Sequence, residues 1–242
     1  SDVSMITVND YRDAEQLEQL IQSHHDDIIS SEHLIIDVRE CRGGSDSVYL
    51  PLLNYIFTPN STLSSEPALH YMTDRNYNNR VASIEKFSPN SNDPLIKKFI
   101  SEMKKNKNKG FVKFDFNDDY NQVELVGSEK PRRVILLTDK YCSSSGDQFV
   151  IDASQSEKVT IVGRPTKGVI DYSDQVVQFY DEDGYEFRYA TSKSPRVDRG
   201  EGIDGKGIQP STMVPWSPEH LKRDVDLDTV LEMINGHGVS KI

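Results

Sequence analysis

The chain of 242 residues is 36% hydrophobic and 28% charged, which allows a buried core under much polar surface and fits one large or two small domains. Its formal net charge of -11 argues against non-specific nucleic-acid binding, and no apolar run is long enough to span a membrane. Cys41 and Cys142 are the only cysteines, so no disulfide framework is implied, and a reduced, cytoplasmic setting is the default. The start, Ser1-Asp2-Val3-Ser4-Met5, shows no signal-peptide pattern and is not a native initiator sequence. The chain therefore reads as a mature fragment or an expressed domain, with export left open.

Met5 to Val8 reads as a short strand. Asp13 to Ile29 carries Ala14, Leu17, Leu20, Ile21, His24 and Ile28 on one face, the spacing of an amphipathic helix. The adjacent His24 and His25 point in different directions, which makes them surface histidines and not a metal pair. Leu34 to Val38 is a strand of the kind a sheet buries on both faces. It leads through Gly43-Gly44 into a helix carrying Val48, Leu50, Leu52, Leu53, Tyr55 and Ile56. A glycine pair there offers N–H groups to an anion, or makes a plain tight turn.

Residues 58–119 change character and read as an insertion or flap. They hold a helix from Asn92-Asp93-Pro94 with Leu95, Ile96, Phe99, Ile100 and Met103 on its apolar face, and a basic run from Lys104 to Lys109, read as a solvated helix end. Val134 to Leu137 is another buried strand, and Phe149, Val150 and Ala153 repeat at helical spacing. Between them, Tyr141 to Gly146 can turn sharply. A serine there stands at the end of a rigid strand, beside the positive end of a helix, where acyl-transfer enzymes place a nucleophile. The same pattern also makes a Ser-rich helix cap. Val159 to Gly163 is a third buried strand, and Val176–Tyr180 with Tyr185–Thr191 forms a hairpin around Asp181 to Gly184. A Gly-rich loop from Ile203 to Pro210 and a helix from Asp226 through Ile234, stopped by Gly236, follow. The alternation implies α/β with a mixed sheet.

Four loops in this order resemble those of the tail-specific (carboxy-terminal processing) peptidases and their tricorn-like relatives, serine peptidases of ClpP/crotonase-like fold. Leu34 to Gly44 is similar to the family's strand with a following Gly-Gly. Ser144-Ser145-Gly146-Asp147 is similar to its Ser-x-Gly-Asp/Glu turn, and Val162-Gly163-Arg164-Pro165-Thr166 to its Val-Gly-Glu-Pro-Thr strand end. Gly207-Ile208-Gln209-Pro210 is similar to its Gly-Ile/Val-x-Pro-Asp loop. The match covers nearly the whole chain outside 58–119.

The resemblance implies a single peptidase core over 1–242, with a mixed sheet and flanking helices in β-β-α spiral units. It implies Ser144 as nucleophile, registered by the acid three places on, with the Ser145 N–H and that of Gly43 or Gly44 as oxyanion hole. The base that the resemblance implies is Lys167, which follows Ser144 by 23 residues through a shortened loop, or an upstream histidine oriented through Asp204; the bland alternatives are an ordinary turn lysine and a turn aspartate. Cys142 lies where the family has no attacking group. The implied partner is a peptide or protein substrate, chosen by the insertion or by upstream sequence because no PDZ domain is recognisable; an exposed strand edge near Ser144 would hold an extended peptide, and an oligomer is compatible with all of this. No ligand cluster stands at zinc or calcium spacing, so no metal or cofactor is expected. An inactive peptide-binding module is the competing reading. Acyl-CoA chemistry on the crotonase fold would leave the Ser144 turn without a role.

Overall fold

The computed structural model describes residues 2–89, 91–116, 122–180 and 184–236. The chain divides into two units, and the larger, Ser1–Leu63 with Glu124–Ile170 and Ile203–Ile242, is built on the short apolar runs. Its elements in chain order are β1 (Val3–Thr7), α1 (Ala14–Ser23), α2 (His25–Ser30), β2 (His33–Asp37), α3 (Asp46–Ile56), β7 (Arg133–Thr138), α6 (Ser145–Ala153), β8 (Val159–Gly163), β11 (Thr212–Met213) and α7 (Val225–Gly236). The strands form one sheet in the order β1-β2-β7-β8-β11, every pairing parallel, with Ile35 opposite Ile135 and Leu137 opposite Val162.

Strand side chains alternate between two apolar layers, as a pleated strand buried on both faces requires. Leu34, Ile36, Val134, Leu136 and Ile161 pack with Leu17 and Ile21 of α1, Leu52, Leu53 and Ile56 of α3, and Phe149 and Val150 of α6. Ile35, Ile135, Leu137 and Val162 face the other way, toward Val230 and its neighbours on α7. The expected Asp13–Ile29 helix is two helices, breaking at His24 (φ -115°, ψ 14°). Ser23 Oγ donates to Gln19 O at 2.6 Å, a side-chain bond that competes with helix continuation. His24 and His25 bond to Asp27 and Tyr55.

The second unit joins Ser64–Val123 to Asp171–Gly202. It contains β4 (Leu69–Met72), α4 (Asp74–Phe87), α5 (Pro94–Lys105), β5 (Gly110–Lys113), β9 (Tyr172–Tyr180) and β10 (Tyr185–Lys193). The sheet order is β5-β4-β10-β9, all antiparallel. Parallel and antiparallel strands thus fall in separate sheets, and not in one mixed sheet. Met72, Met103 and Phe114 form this unit's core with Phe99 and Val112. Asp93 caps α5 by accepting the Leu95 N–H at 2.8 Å, with Pro94 at the first helical position. In the basic run, Lys107 pairs with Asp74 at 2.8 Å. The expected hairpin turn at Asp181–Asp183 lies outside the described residues. β3 (Thr62–Ser64) and β6 (Gln122–Glu124) form a short two-stranded ladder. Among the described residues, no helix is long and apolar enough to cross a membrane.

Candidate active site

β2, β7 and β8 end side by side, and ligands of parallel sheets bind beyond the carboxyl ends of the strands. After β2, the chain reaches Gly43 (φ 81°) and Gly44 (φ 151°), backbone conformations that favour glycine. Tyr11 N donates to Gly43 O at 2.9 Å and Ser45 N to Tyr11 O at 2.7 Å, and this seats Gly44 on the Tyr11 carbonyl, which any side chain at 44 would overlap. A side chain at Gly43 would put its Cβ 2.7 Å from Ser144 Cβ and 2.9 Å from Ser145 N. The glycine pair therefore lets one strand-end loop lie directly against the next.

That next loop is the serine turn. Ser143 N donates to Cys41 O at 2.9 Å, and Gly146 N to Ser143 O at 2.9 Å as α6 begins. Ser144 is the helix N-cap with φ 59° and ψ -124°, a region that costs a residue bearing a Cβ about 1–3 kcal/mol. Ser143 and Ser145 are buried, and Ser145 Oγ donates to Gly44 O at 3.0 Å. Ser144 is only half-buried, the most open of the three. Its N–H donates at 2.9 Å to the buried Asp147 carboxylate. The Gly43 N–H faces the Cys41 sulfur. Among the described residues the Gly44 and Ser145 N–H groups have no acceptor; the Ser145 amide adjoins Ser144 at the positive end of α6, and Gly44 is tied to that turn by the Ser145 hydroxyl. A hydroxyl so held can attack a carbonyl, and the amides can receive the oxyanion that forms.

Burial pushes the Cys41 thiol up to about 11 and the Cys142 thiol well above its ordinary range. Neither has the thiolate character of a nucleophile.

The loop after β8 docks on the same turn. Lys167 N donates to Cys142 O at 2.8 Å, while the Lys167 side chain is exposed. Among the described residues, no hydrogen bond joins its amine to Ser144. Gly168 N and Val169 N donate to Asp147 at 3.0 and 3.1 Å. The Ile203–Pro210 loop covers this segment, with Ile208 N on Thr166 Oγ1 at 2.9 Å and Gly205 N on Gly168 O at 2.9 Å. Asp204 Oδ1 accepts the Ile170 N–H at 2.9 Å. Gly43 thus packs on Ser144 and Ser145, and the Ser145 hydroxyl ties Gly44 to the same turn. Lys167 joins them through its N–H, and Asp204 sits one loop further out.

Sequence reasoning used Asp147 only as a helix-start and register mark, and missed that its carboxylate spans two loops. It also missed an ion network at the same strand ends. Asp226, at the start of α7 and 1% exposed, takes Arg164 at 2.6 Å and Arg39 at 3.2 Å, with His220 at 3.3 Å. Arg39 also holds Asp37 at 2.6 Å and Asp224 at 2.7 Å, and Arg164 holds Asp139 at 2.8 Å. Burial acts to raise the Asp226 carboxyl, and the Arg164 guanidinium outweighs it and holds the carboxyl below the usual range. Arg39 does the same for Asp224. A strand-end Asp and Arg, spaced as Asp37 and Arg39 are, is the one sequence sign of it.

The model of peptidase family S41 matches residues 2–214. No curated protein gives a match. Among solved structures, mature CPAF is similar over 98% of this chain and 52% of its own, with TM-score 0.67 and 16% identity. A candidate peptidase of Parabacteroides merdae ATCC 43184 is similar over 96% of this chain and 61% of its own, with TM-score 0.58 and 16% identity. The tricorn protease is similar over 96% of this chain and 17% of its own, with TM-score 0.50 and 14% identity. At these identities the likeness shows the fold, and the chain spans 61% or less of each of these structures.

Proposed function

Because the chain belongs to peptidase family S41, we propose that it is the catalytic core of a serine peptidase, with Ser144 as nucleophile and peptides or proteins as substrates. Ser144 Oγ attacks the carbonyl carbon of a peptide bond, the tetrahedral intermediate expels the amine, and water hydrolyses the acyl-enzyme. The Ser145 N–H, with that of Gly44 or Gly43, stabilises the oxyanion; losing one such donor costs about 100–1000-fold in rate. The observation that carries this reading is the Ser144 backbone, held at φ 59° at a helix N-terminus with unpaired amides beside it. Strain of this kind persists where the surrounding structure holds it, and it clusters at functional sites.

The Ser144 proton passes to Lys167 or to a histidine supplied by sequence upstream of this chain, with Asp204 the orienting acid in the second case. The exposed Lys167 side chain favours the histidine, since a lysine works as a base when burial strips water from its amine. The sheet and its helices belong, on this reading, to the ClpP/crotonase-like architecture, with 58–119 an insertion in one peptidase core. A second reading, a peptide-binding module without a working base, is supported by the missing bond between Lys167 and Ser144.

Fluorophosphonate labelling of the protein with the sequence upstream of this chain included, as wild type, Ser144→Ala and Lys167→Ala, tests the proposal. Labelling abolished in both variants supports a Ser–Lys dyad, and labelling abolished in Ser144→Ala alone supports the upstream histidine. A folded wild type that does not label favours the binding module.

A further inference from the structure

We infer that Asp147 is a positioning residue, a clamp through which one buried carboxylate holds the nucleophile turn and the Lys167 loop in a single arrangement. The inference rests on Ser144 as nucleophile for its catalytic consequence, and on geometry alone for the clamp. Asp147 is fully buried. Its Oδ2 accepts the Ser144 N–H at 2.9 Å and the Val169 N–H at 3.1 Å, and its Oδ1 accepts the Gly168 N–H at 3.0 Å. A carboxylate taken from water needs such compensation, and three amide donors supply it without a cationic side chain.

The donors come from both strand-end loops. One belongs to the residue whose φ is 59°, and two belong to the residues that follow Lys167. The Lys167 N–H is itself tied to the serine turn at Cys142 O, so that loop is fastened at three consecutive amides. On its other side, Gly168 (φ 66°) lets the Ile203–Pro210 loop close over this segment, since a side chain there would strike the Ile203 carbonyl. The clamp also engages the Ser144 N–H, so that the neighbouring amides, and not the nucleophile's own, are left for an oxyanion.

A structural buried charge and a positioning one differ in what they move. Loss of a merely structural group lowers the folded fraction, whereas loss of the clamp leaves the chain folded with the reacting groups displaced. A displacement near 1 Å costs about 100-fold in rate.

Two measurements on the protein with the sequence upstream of this chain included decide the matter, using Asp147→Asn, Asp147→Glu and Asp147→Ala. The first is amide hydrogen exchange by mass spectrometry. In Asp147→Ala, peptides covering 143–145 and 167–170 should exchange faster together, by about tenfold or more for a lost charged hydrogen bond, with β2 and β7 unchanged. Protection lost in one segment only, or lost evenly over the whole unit, overturns the clamp. The second is fluorophosphonate labelling at saturating probe. The proposal expects the maximal labelling rate of folded Asp147→Asn to fall about 100-fold with the labelled fraction still reaching completion, and Asp147→Glu to recover part of it. An unchanged rate with a reduced labelled fraction assigns Asp147 a structural role only and overturns the positioning claim. If the wild type does not label, Ser144 as nucleophile fails, and with it the positioning role, while hydrogen exchange still decides the clamp.

Discussion

Gly43→Ala places a single methyl group where the glycine loop meets the serine turn. At φ 81° an L-residue bears about 1–2 kcal/mol of strain before any contact is counted. The new Cβ would lie 2.7 Å from Ser144 Cβ, 2.8 Å from Ser143 O and 2.9 Å from Ser145 N. Non-bonded carbons rest at about 3.5–4.0 Å, so the loops must part by roughly 1 Å. Two of the three atoms are backbone, and the serine turn is anchored by Asp147 and Cys41, so the movement cannot be absorbed by a side-chain rotation. Overpacking of this kind destabilises by about 1–3 kcal/mol. Because the displaced pair is the nucleophile turn and its neighbouring amides, the fluorophosphonate labelling rate should fall about 100-fold, well beyond any loss of folded protein. Labelling kinetics and urea denaturation on the same sample check this. A variant with wild-type stability and a labelling rate within about threefold of wild type would refute the packing of Gly43 on Ser144.

Removing the Asp226 carboxylate as Asp226→Ala leaves Arg39 with Asp37 and Asp224, and Arg164 with Asp139, so the cost sits near the lower end of the 3–5 kcal/mol typical of a broken buried pair. Thermal denaturation should show a melting temperature lower by about 6–12 °C; a shift under about 2 °C would contradict the buried network. The Asp224 and Asp226 carboxyls are held below their unfolded range, so their stabilisation is fully present above about pH 4 and is lost as pH falls through their folded values. Urea denaturation of the wild type from pH 6 downward should steepen below about pH 4, and less so in Asp226→Asn; equal profiles would count against the assignment. With burial suppressing the thiolate, Cys142 should resist iodoacetamide in the native chain and react on denaturation, and rapid native alkylation would contradict its burial.

The parts legible in sequence are those set by local pattern. β2, β7 and β8 announce themselves because a strand buried on both faces needs an unbroken apolar run, and α6 because its capping serine and early acid precede a helical repeat. α4 is not legible, because Tyr77, Val81 and Ile84 make too sparse a stripe among Asp, Asn and Arg. The antiparallel sheet of the second unit is not legible, since it is closed by Ser192 pairing with His70 and Lys193 with Leu69, partners remote in sequence. At the site, the glycine pair and the serine turn could be read from their places after strands. The grip of Asp147 on Gly168 and Val169 could not, because the serine turn and that loop meet only when β7 and β8 pair. Nor does a residue's own identity reveal side-chain exposure, which is what sets Lys167 apart from Ser144.

Peptide mapping of the fluorophosphonate adduct by mass spectrometry, on the native wild-type protein with the sequence upstream of this chain included, tests the central claim most directly. The account predicts a single adduct on Ser144, the one serine of the turn with a strained backbone and a half-open side chain. An adduct on Ser143 or Ser145, or a folded chain that takes up no probe, would contradict it.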